Sequence, residues 1–201
     1  MTTSYYPDCI LELVKAYNEP HRYYHNWNHI SDMFYNAKIY NLNLTDTQQL
    51  AILFHDIIYN VKREDNIFMS TYYSNEQLSA DIAYNYCKMY NEEIADNVKQ
   101  IILDTEKELP TIKESEYVID LDLLGLAFKD KYDKNGVNIK QEFKHLDSKT
   151  FYTNRLKWIM SMLDRDTIFV SEKFNHLNPN AYQILNDDLN ETTRRITNEI
   201  F

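Results

Sequence analysis

Four of the six histidines lie in two short stretches, PHRYYHNWNHI at residues 20–30 and LFHDIIY at residues 53–59. The first stretch contains His25 and His29, which are four residues apart. If residues 26–41 are helical, this pair lies near the first turn and can share a face. Two histidines at this spacing are a common way to bind a metal ion. The alternative is that the histidines of this stretch are surface or capping residues.

The second stretch places His55 beside Asp56 within an otherwise apolar segment. A carboxylate buried there needs compensation from a metal ion, a cation or several hydrogen-bond donors. The pair is therefore a candidate metal ligand set. The alternative is a hydrogen-bonded His–Asp pair, or an aspartate that binds an arginine, and the pair by itself does not distinguish these from a metal site.

A third stretch, YVIDLDLLGL, carries Asp120 and Asp122 inside an apolar run. Residues two apart on a helix point about 200° away from each other, so both cannot reach one site from a regular helix. One interpretation makes Asp120 a cap at the start of the helix. The other aspartate then lies on the buried face and needs a partner.

The three stretches together supply histidine nitrogens and carboxylate oxygens. This ligand set suits one divalent ion such as Mn²⁺, Fe²⁺, Zn²⁺, Ni²⁺ or Mg²⁺. Two histidines and two aspartates leave coordination positions open for water and substrate. A metal ion at such a site lowers the pKa of water and polarises a phosphoryl oxygen.

Several motifs occur in the same order as these residues. They are PHRYYHNWNH, FHDIIY, NEQLSA at residues 75–80, DLDLLGL, IKQEF at residues 139–143 and RDTIF at residues 165–169. In this order the chain resembles the HD superfamily of metal-dependent phosphohydrolases, and more narrowly the predicted metal-dependent HD phosphohydrolase family. The resemblance extends from about residue 10 to residue 190. Lys140 occupies a position where the family pattern has arginine.

The resemblance implies His29, His55, Asp56 and either Asp120 or Asp122 as the metal ligands. Asp122 is favoured, because the last aspartate of the superfamily is commonly followed by one residue and then a leucine. The resemblance also favours a single metal ion and hydrolysis over oxygenase chemistry, because no histidine lies between residues 55 and 145.

Further roles follow from the same motifs. Glu76 is a candidate general base, although a carboxylate near a helix N-terminus can also simply interact with the helix dipole. His25 is expected either to support a metal ligand or to contact substrate. Arg22 is expected to act in catalysis and to bind phosphate, because its motif places it near the site. Lys62, Arg63 and Lys140 are candidate phosphate-binding cations, with Arg155 and Arg165 as further candidates, and the alternative for each of these five is a solvated surface role.

The resemblance implies a metal-dependent phosphohydrolase that acts on a nucleotide or small phosphoester through a metal-activated water. It would be a phosphomonoesterase, a nucleotidase or a phosphodiesterase. The first alternative is a non-catalytic HD-fold module that binds metal and nucleotide. The second is a structural helical protein whose histidines and aspartates form core hydrogen bonds. A homodimer is left open.

Hydrophobic periodicity supplies the elements that would position these residues. It predicts helices at residues 8–18, 26–41, 46–59, 75–90, 92–106, 117–129, 137–145, 148–174 and 180–199. Thr45 or Asp46 is expected to cap the third helix, and Pro110 marks a break. Residues 60–75 are expected to form a long loop. The predicted fold is an all-α HD-domain bundle of eight or nine helices in one domain, residues 1–201.

Composition agrees with this prediction. The 201 residues include only two glycines and four prolines, fewer than a sheet with tight turns usually needs. The net charge of −10 disfavours binding to nucleic acid or to an anionic membrane. No signal peptide or membrane span is expected. Two cysteines, Cys9 and Cys87, favour a reducing, cytoplasmic location.

Overall fold

The computed structural model describes residues 10–61 and 73–198, and the regular elements in these ranges are all helical. Nine α-helices are present among the described residues, together with two short 3₁₀ segments, Leu124–Ala127 and Asn175–Leu177. The prediction of an all-α fold with eight or nine helices is confirmed. The helices are α1 Ile10–Tyr17, α2 Trp27–Ile39, α3 Asp46–Phe54, α4 Asn75–Cys87, α5 Glu92–Lys107, α6 Ser115–Leu123, α7 Lys129–Glu142, α8 Ser148–Leu163 and α9 Asn178–Thr197.

The chain divides into two compact units, Met1–Leu121 and Asp122–Phe201, and the division falls within α6. The single domain expected from the sequence stays a prediction. No helix in the described part of the chain has the length and apolar character needed to cross a lipid bilayer.

The core of the first unit forms where α5 packs on α4 and on α3. The inner faces of α4 and α5 carry small side chains, Ala80 and Ala83 on α4 and Ala95 and Val98 on α5, all fully buried. Small residues allow two helices to approach closely, which removes more backbone from water. Helix α3 contributes a nearly continuous buried run from Leu50 to Phe54, as its apolar sequence predicted.

Helix α3 begins at the predicted cap. The Thr45 side chain accepts a hydrogen bond from the Gln48 backbone N–H, and the Gln48 side chain accepts one from the Thr45 N–H. This reciprocal capping box satisfies two backbone donors at the start of the helix.

The start of α6 is held within the first unit by a buried carboxylate. Asp104 of α5 accepts hydrogen bonds from the Thr111 backbone and hydroxyl and from the Ser115 hydroxyl, at 2.6–2.8 Å. The Gln48 side chain donates to the Glu114 carbonyl at 2.9 Å. These contacts hold the start of α6, the helix whose sequence carries Asp120 and Asp122.

The second unit contains α7, α8 and α9, and α9 packs on α8 and on the 3₁₀ segment Leu124–Ala127. Its core includes Ile159, Met162, Phe169, Phe174 and Leu185, each fully buried.

Three predicted helix boundaries are wrong in this region. Helix α8 ends at Leu163 rather than at residue 174. The Asn178 side chain accepts from the Ile168 and Phe169 backbone N–H groups and donates to the Phe169 carbonyl, so it stabilises an irregular segment there. Helix α7 begins at Lys129 rather than at residue 137. The helix predicted over 117–129 ends at Leu123, and Phe128 is extended.

Candidate metal centre

Helix α2 positions the first histidine of the centre. Its N-cap is Asn26, whose side chain accepts a hydrogen bond from the Asn28 N–H. His29 lies in the first turn of this helix and is 8 % exposed. His25 precedes the cap, and its ring stacks on Tyr59 with the ring centroids 4.0 Å apart. The two histidine rings remain neighbours, with their centroids 6.3 Å apart.

His55 and Asp56 lie in a turn that follows α3, so the helix predicted over 46–59 is too long. The reason is tertiary. The Asp56 backbone N–H donates to the Tyr17 hydroxyl at 3.2 Å, and that hydroxyl lies 3.1 Å from the Leu53 carbonyl. The Ile57 N–H bonds to the Phe54 carbonyl, which tightens the last turn. The helical hydrogen-bond ladder therefore ends where the His–Asp pair begins.

Arg22 completes the support of this turn. Its guanidinium donates to the Asp56 carbonyl at 2.5 Å and to the Ile57 carbonyl at 2.9 Å, and its Nε donates to Glu19. The side chain is 1 % exposed. The sequence predicted a catalytic or substrate-binding role for Arg22, but these contacts are those of a positioning residue. A planar fork of donors suits two neighbouring carbonyl oxygens.

The hydrogen bond of His55 determines which ring nitrogen can bind a metal ion. His55 Nδ1 lies 2.9 Å from the Ile52 carbonyl oxygen. A carbonyl oxygen can only accept, so Nδ1 carries a proton and Nε2 is the ring nitrogen left to bind a metal ion. His55 Nε2 is buried and lies 3.1 Å from Asp56 Oδ2. Histidine metal ligands usually have this arrangement, with the second nitrogen bonded to a carbonyl or carboxylate.

The two predicted histidines and two of the predicted aspartates come together. His29 Nε2 is buried and lies 4.0 Å from Asp56 Oδ2. One ligand atom from each of His29, His55 and Asp122 lies within 4.8 Å of the other two. Among the described residues this group includes Asp122 and not Asp120, which is fully buried. Asp122, which the resemblance favoured as a ligand, thus lies near both histidines, and its role as a ligand stays a prediction. Helix α6, anchored through Ser115, carries it to this position.

The donor set fits a divalent transition-metal ion. Imidazole and carboxylate ligands bind Zn²⁺ at about 2.0–2.2 Å, so the ligand atoms of a tetrahedral site are about 3.5 Å apart. The ligand atoms of His29, His55 and Asp122 lie within 4.8 Å of one another. Side-chain movements of about 1 Å would therefore allow these three residues to bind one ion, with Asp56 beside them.

The environment of the centre shifts the pKa values of two carboxyl groups, Asp56 and Glu76, in opposite directions. Burial alone would raise the pKa of Asp56, but the adjacent His55, with His25 and His29, holds that pKa well below its usual value. Glu76, in the first turn of α4, shows the opposite shift. Burial and the nearby Asp56 charge raise the pKa of Glu76 above 4.5, although backbone and Ser74 hydrogen bonds oppose the shift. Asp56 is therefore suited to bind a cation, and Glu76 to accept a proton.

The other predicted cations are not brought to this centre by any described contact. Lys62 and Arg63 lie outside the described residues. Lys140 belongs to the second unit, where its ammonium group donates to the Tyr152 hydroxyl at 3.0 Å. Arg155 forms an ion pair with Asp188 at 2.6 Å. The substrate-binding roles predicted for these residues stay predictions.

Sequence reasoning missed three residues that shape the centre. No role at the centre was predicted for Tyr17 or Tyr59, although the hydroxyl of Tyr17 organises the His–Asp turn and the ring of Tyr59 supports His25. Ser79 is fully buried, and its hydroxyl accepts from the Ile58 N–H at 3.1 Å. Only the serine of the NEQLSA motif offered a signal, because a hydroxyl on a buried helical face needs a partner.

Comparison of the chain with models of known protein families, with curated proteins and with solved structures finds no match in any of the three. The function must therefore be inferred from the side chains of the candidate metal centre itself.

Proposed function

We propose that this chain is a metal-dependent phosphohydrolase of the HD type. His29, His55, Asp56 and Asp122 would hold a single divalent ion. The observation that carries the proposal is the convergence of these side chains from three separate segments: the start of α2, the turn after α3 and the end of α6. Structural core groups rarely concentrate two buried imidazoles and an ionised carboxylate, because each needs compensation.

A divalent ion, when bound, supplies Lewis acidity toward a phosphoryl oxygen and lowers the pKa of a water molecule. The chain's own residues prepare the site. The Ile52 carbonyl keeps the proton on His55 Nδ1, so Nε2 is available as a ligand. Arg22 and Tyr17 hold the backbone of the His–Asp turn, which places both ligand side chains before any ion binds.

Glu76 is the proposed general base. Its pKa is raised by burial and by Asp56, so the carboxylate is a stronger base than an exposed glutamate. In the proposed hydrolysis, a water oxygen forms a bond to phosphorus while the bond from phosphorus to the leaving oxygen breaks. Glu76 accepts a proton from the water, and the leaving oxygen takes a proton from solvent.

The proposed substrate is a nucleotide or another small phosphoester, which makes the protein a phosphomonoesterase, nucleotidase or phosphodiesterase. The net charge of −10 supports a small substrate, because a long polyanion would be repelled. The proposal includes a cytoplasmic location, supported by the presence of only two cysteines.

The test measures bound metal and phosphate release on the same samples. Purified full-length protein is loaded with Mn²⁺, Fe²⁺, Zn²⁺, Ni²⁺ or Mg²⁺, and metal content is measured by mass spectrometry. Release of phosphate is then followed from a panel of nucleotides and phosphomonoesters, and product analysis detects cleavage of phosphodiesters. The wild type is compared with Asp56→Ala and His55→Gln. His176→Gln is the matched control, because His176 is an exposed histidine in the second unit.

We expect one ion per chain and metal-dependent hydrolysis in the wild type and in His176→Gln. Asp56→Ala and His55→Gln should lose both, while circular dichroism shows that they remain helical. A bound ion without turnover on any substrate would favour the non-catalytic binding module. Failure to bind any of the five ions would overturn the metal centre and leave the histidines as core hydrogen-bonding groups.

A further inference from the structure

The second unit contains a pocket of about 480 Å³ whose lining residues all belong to that unit. None of the candidate metal ligands lines it. Helix α7 lines it with Val137 and Lys140, α9 with Ile184 and Arg195, and α8 with Tyr152. The volume lies in the range of sites for small organic molecules.

The charges around the pocket are paired, with one half-buried exception. Four cationic and four carboxylate side chains line it, and three of the cations each form an ion pair with a carboxylate. These pairs are Lys129 with Asp133, Arg155 with Asp188, and Arg195 with Glu191.

Lys140 is the remaining cation. Among the described residues, no carboxylate lies within ion-pair distance of it. Its ammonium group is half-buried, donates to the Tyr152 hydroxyl at 3.0 Å, and lies 4.7 Å from the centroid of that ring. The remaining carboxylate, Asp187, is exposed and accepts from the Gln183 amide, so water screens its charge.

A second cation lies on the same aromatic ring. The Arg195 guanidinium is 5.4 Å from the Tyr152 centroid. Its partner Glu191 is shared, because Arg194 binds the other carboxylate oxygen at 2.7 Å. One carboxylate therefore neutralises two arginines, and the Tyr152 end of the pocket has an excess of positive charge.

Apolar side chains form the rest of the pocket near Lys140. The centroid of the Phe151 ring lies 5.9 Å from the Lys140 ammonium group, and Val137, which also lines the pocket, is 63 % exposed. An apolar group placed there would remove mainly the surface of Val137 from water, because Phe151 and Ile184 are already buried, and such removal is favourable by about 25 cal/mol per Å².

The geometry points to a second ligand site in this chain, one that takes a small organic monoanion with an aromatic or aliphatic body. The carboxylate of the ligand would lie between Lys140 and Arg195, and its apolar body against Phe151, Val137 and Ile184. A monoanion fits better than a phosphate dianion, because Lys140 is the single half-buried cation without a carboxylate partner and four carboxylates surround the pocket. This site is independent of the proposed phosphohydrolase centre.

The test is calorimetric titration of the full chain, with EDTA present so that the metal centre does not contribute. The probes are 4-phenylbutyrate, its uncharged analogue 4-phenyl-1-butanol, and the dianion phenyl phosphate. Lys140→Gln removes the charge, and Val137→Trp fills the pocket from an exposed position that does not disturb the core. Lys134→Gln is the matched control, because Lys134 is an exposed lysine of the same helix that does not line the pocket.

We expect 4-phenylbutyrate to bind more tightly than either other probe. Lys140→Gln should weaken that binding about tenfold or more, as expected for the loss of a charge-assisted contact. Val137→Trp should abolish it, and Lys134→Gln should leave it unchanged. Absence of binding at millimolar concentration would overturn the site, as would binding that neither Lys140→Gln nor Val137→Trp alters. Tighter binding of phenyl phosphate that depends on Lys140 would overturn the assignment of a monoanion.

Discussion

Replacing Arg22 separates two explanations of why an arginine occupies the first histidine-rich stretch. A substrate-binding arginine would leave stability unchanged when replaced, whereas the observed contacts make it a support of the His–Asp turn. Arg22→Met keeps the aliphatic part of the side chain and removes the donors to the Asp56 and Ile57 carbonyls. Each buried carbonyl left without its donor costs about 1–3 kcal/mol. The substitution should therefore lower the free energy of unfolding by about 2–6 kcal/mol.

The assay is urea denaturation followed by circular dichroism. The matched control is Arg194→Met, which removes an exposed ion pair with Glu191 and should change stability by at most about 1 kcal/mol. Arg22→Lys should give an intermediate loss, because a lysine can reach one carbonyl but lacks the planar fork. The Arg22→Lys variant can still be measured if Arg22→Met does not fold. Metal affinity should fall about 10–100-fold in Arg22→Lys, the range seen when residues that support metal ligands are replaced.

A specific result would refute this reasoning. If Arg22→Met unfolds within about 1 kcal/mol of the wild type and keeps its metal, but KM for substrate rises strongly, then Arg22 contacts substrate. The hydrogen bonds to the two carbonyls would then contribute little to holding the turn.

Three further substitutions test other parts of the structure. The pKa of Glu76 is raised above 4.5 mainly by burial, so the folded protein binds this proton more tightly than the unfolded chain. That stabilisation is complete below pH 4.5 and is lost as pH rises through the folded pKa. Glu76→Gln should therefore raise Tm at pH 8 in EDTA, more than it does at pH 4, and should abolish hydrolysis; an equal effect at both pH values would contradict the shift. Asp104→Asn places an amide against the Thr111 and Ser115 donors and should cost about 3 kcal/mol in urea denaturation; a loss below about 1 kcal/mol would show that α6 is anchored otherwise. Tyr17→Phe removes the hydroxyl between the Leu53 carbonyl and the Asp56 N–H and should cost about 1–3 kcal/mol, with faster hydrogen exchange at the Asp56 amide as the local readout.

The amino-acid sequence alone was sufficient to predict most of the helices. Apolar spacing located α1, α2, α4, α5 and α9 to within a few residues, because helical periodicity and capping are properties of neighbouring residues. Thr45 with Gln48 is an example, since both partners of the capping box lie within one turn. The same local information failed at the ends of α3 and α8. There the chain leaves the helix because Tyr17, Arg22 and Asn178 supply hydrogen bonds from other segments.

The candidate centre shows the same division. In the stretch YVIDLDLLGL, two aspartates are candidate ligands. Because residues two apart on a helix point about 200° away from each other, only one of Asp120 and Asp122 can reach the centre. The family resemblance favoured Asp122, and among the described residues it is Asp122, not Asp120, whose carboxylate lies near His29 and His55. Arg22 shows most clearly what the sequence leaves undetermined. Its charge suggested that it binds a substrate phosphate, but its guanidinium donates to backbone carbonyls 34 and 35 residues further along the chain. Sequence determines which groups are present and how they alternate locally, whereas hydrogen bonds between distant segments exist only once the helices have packed.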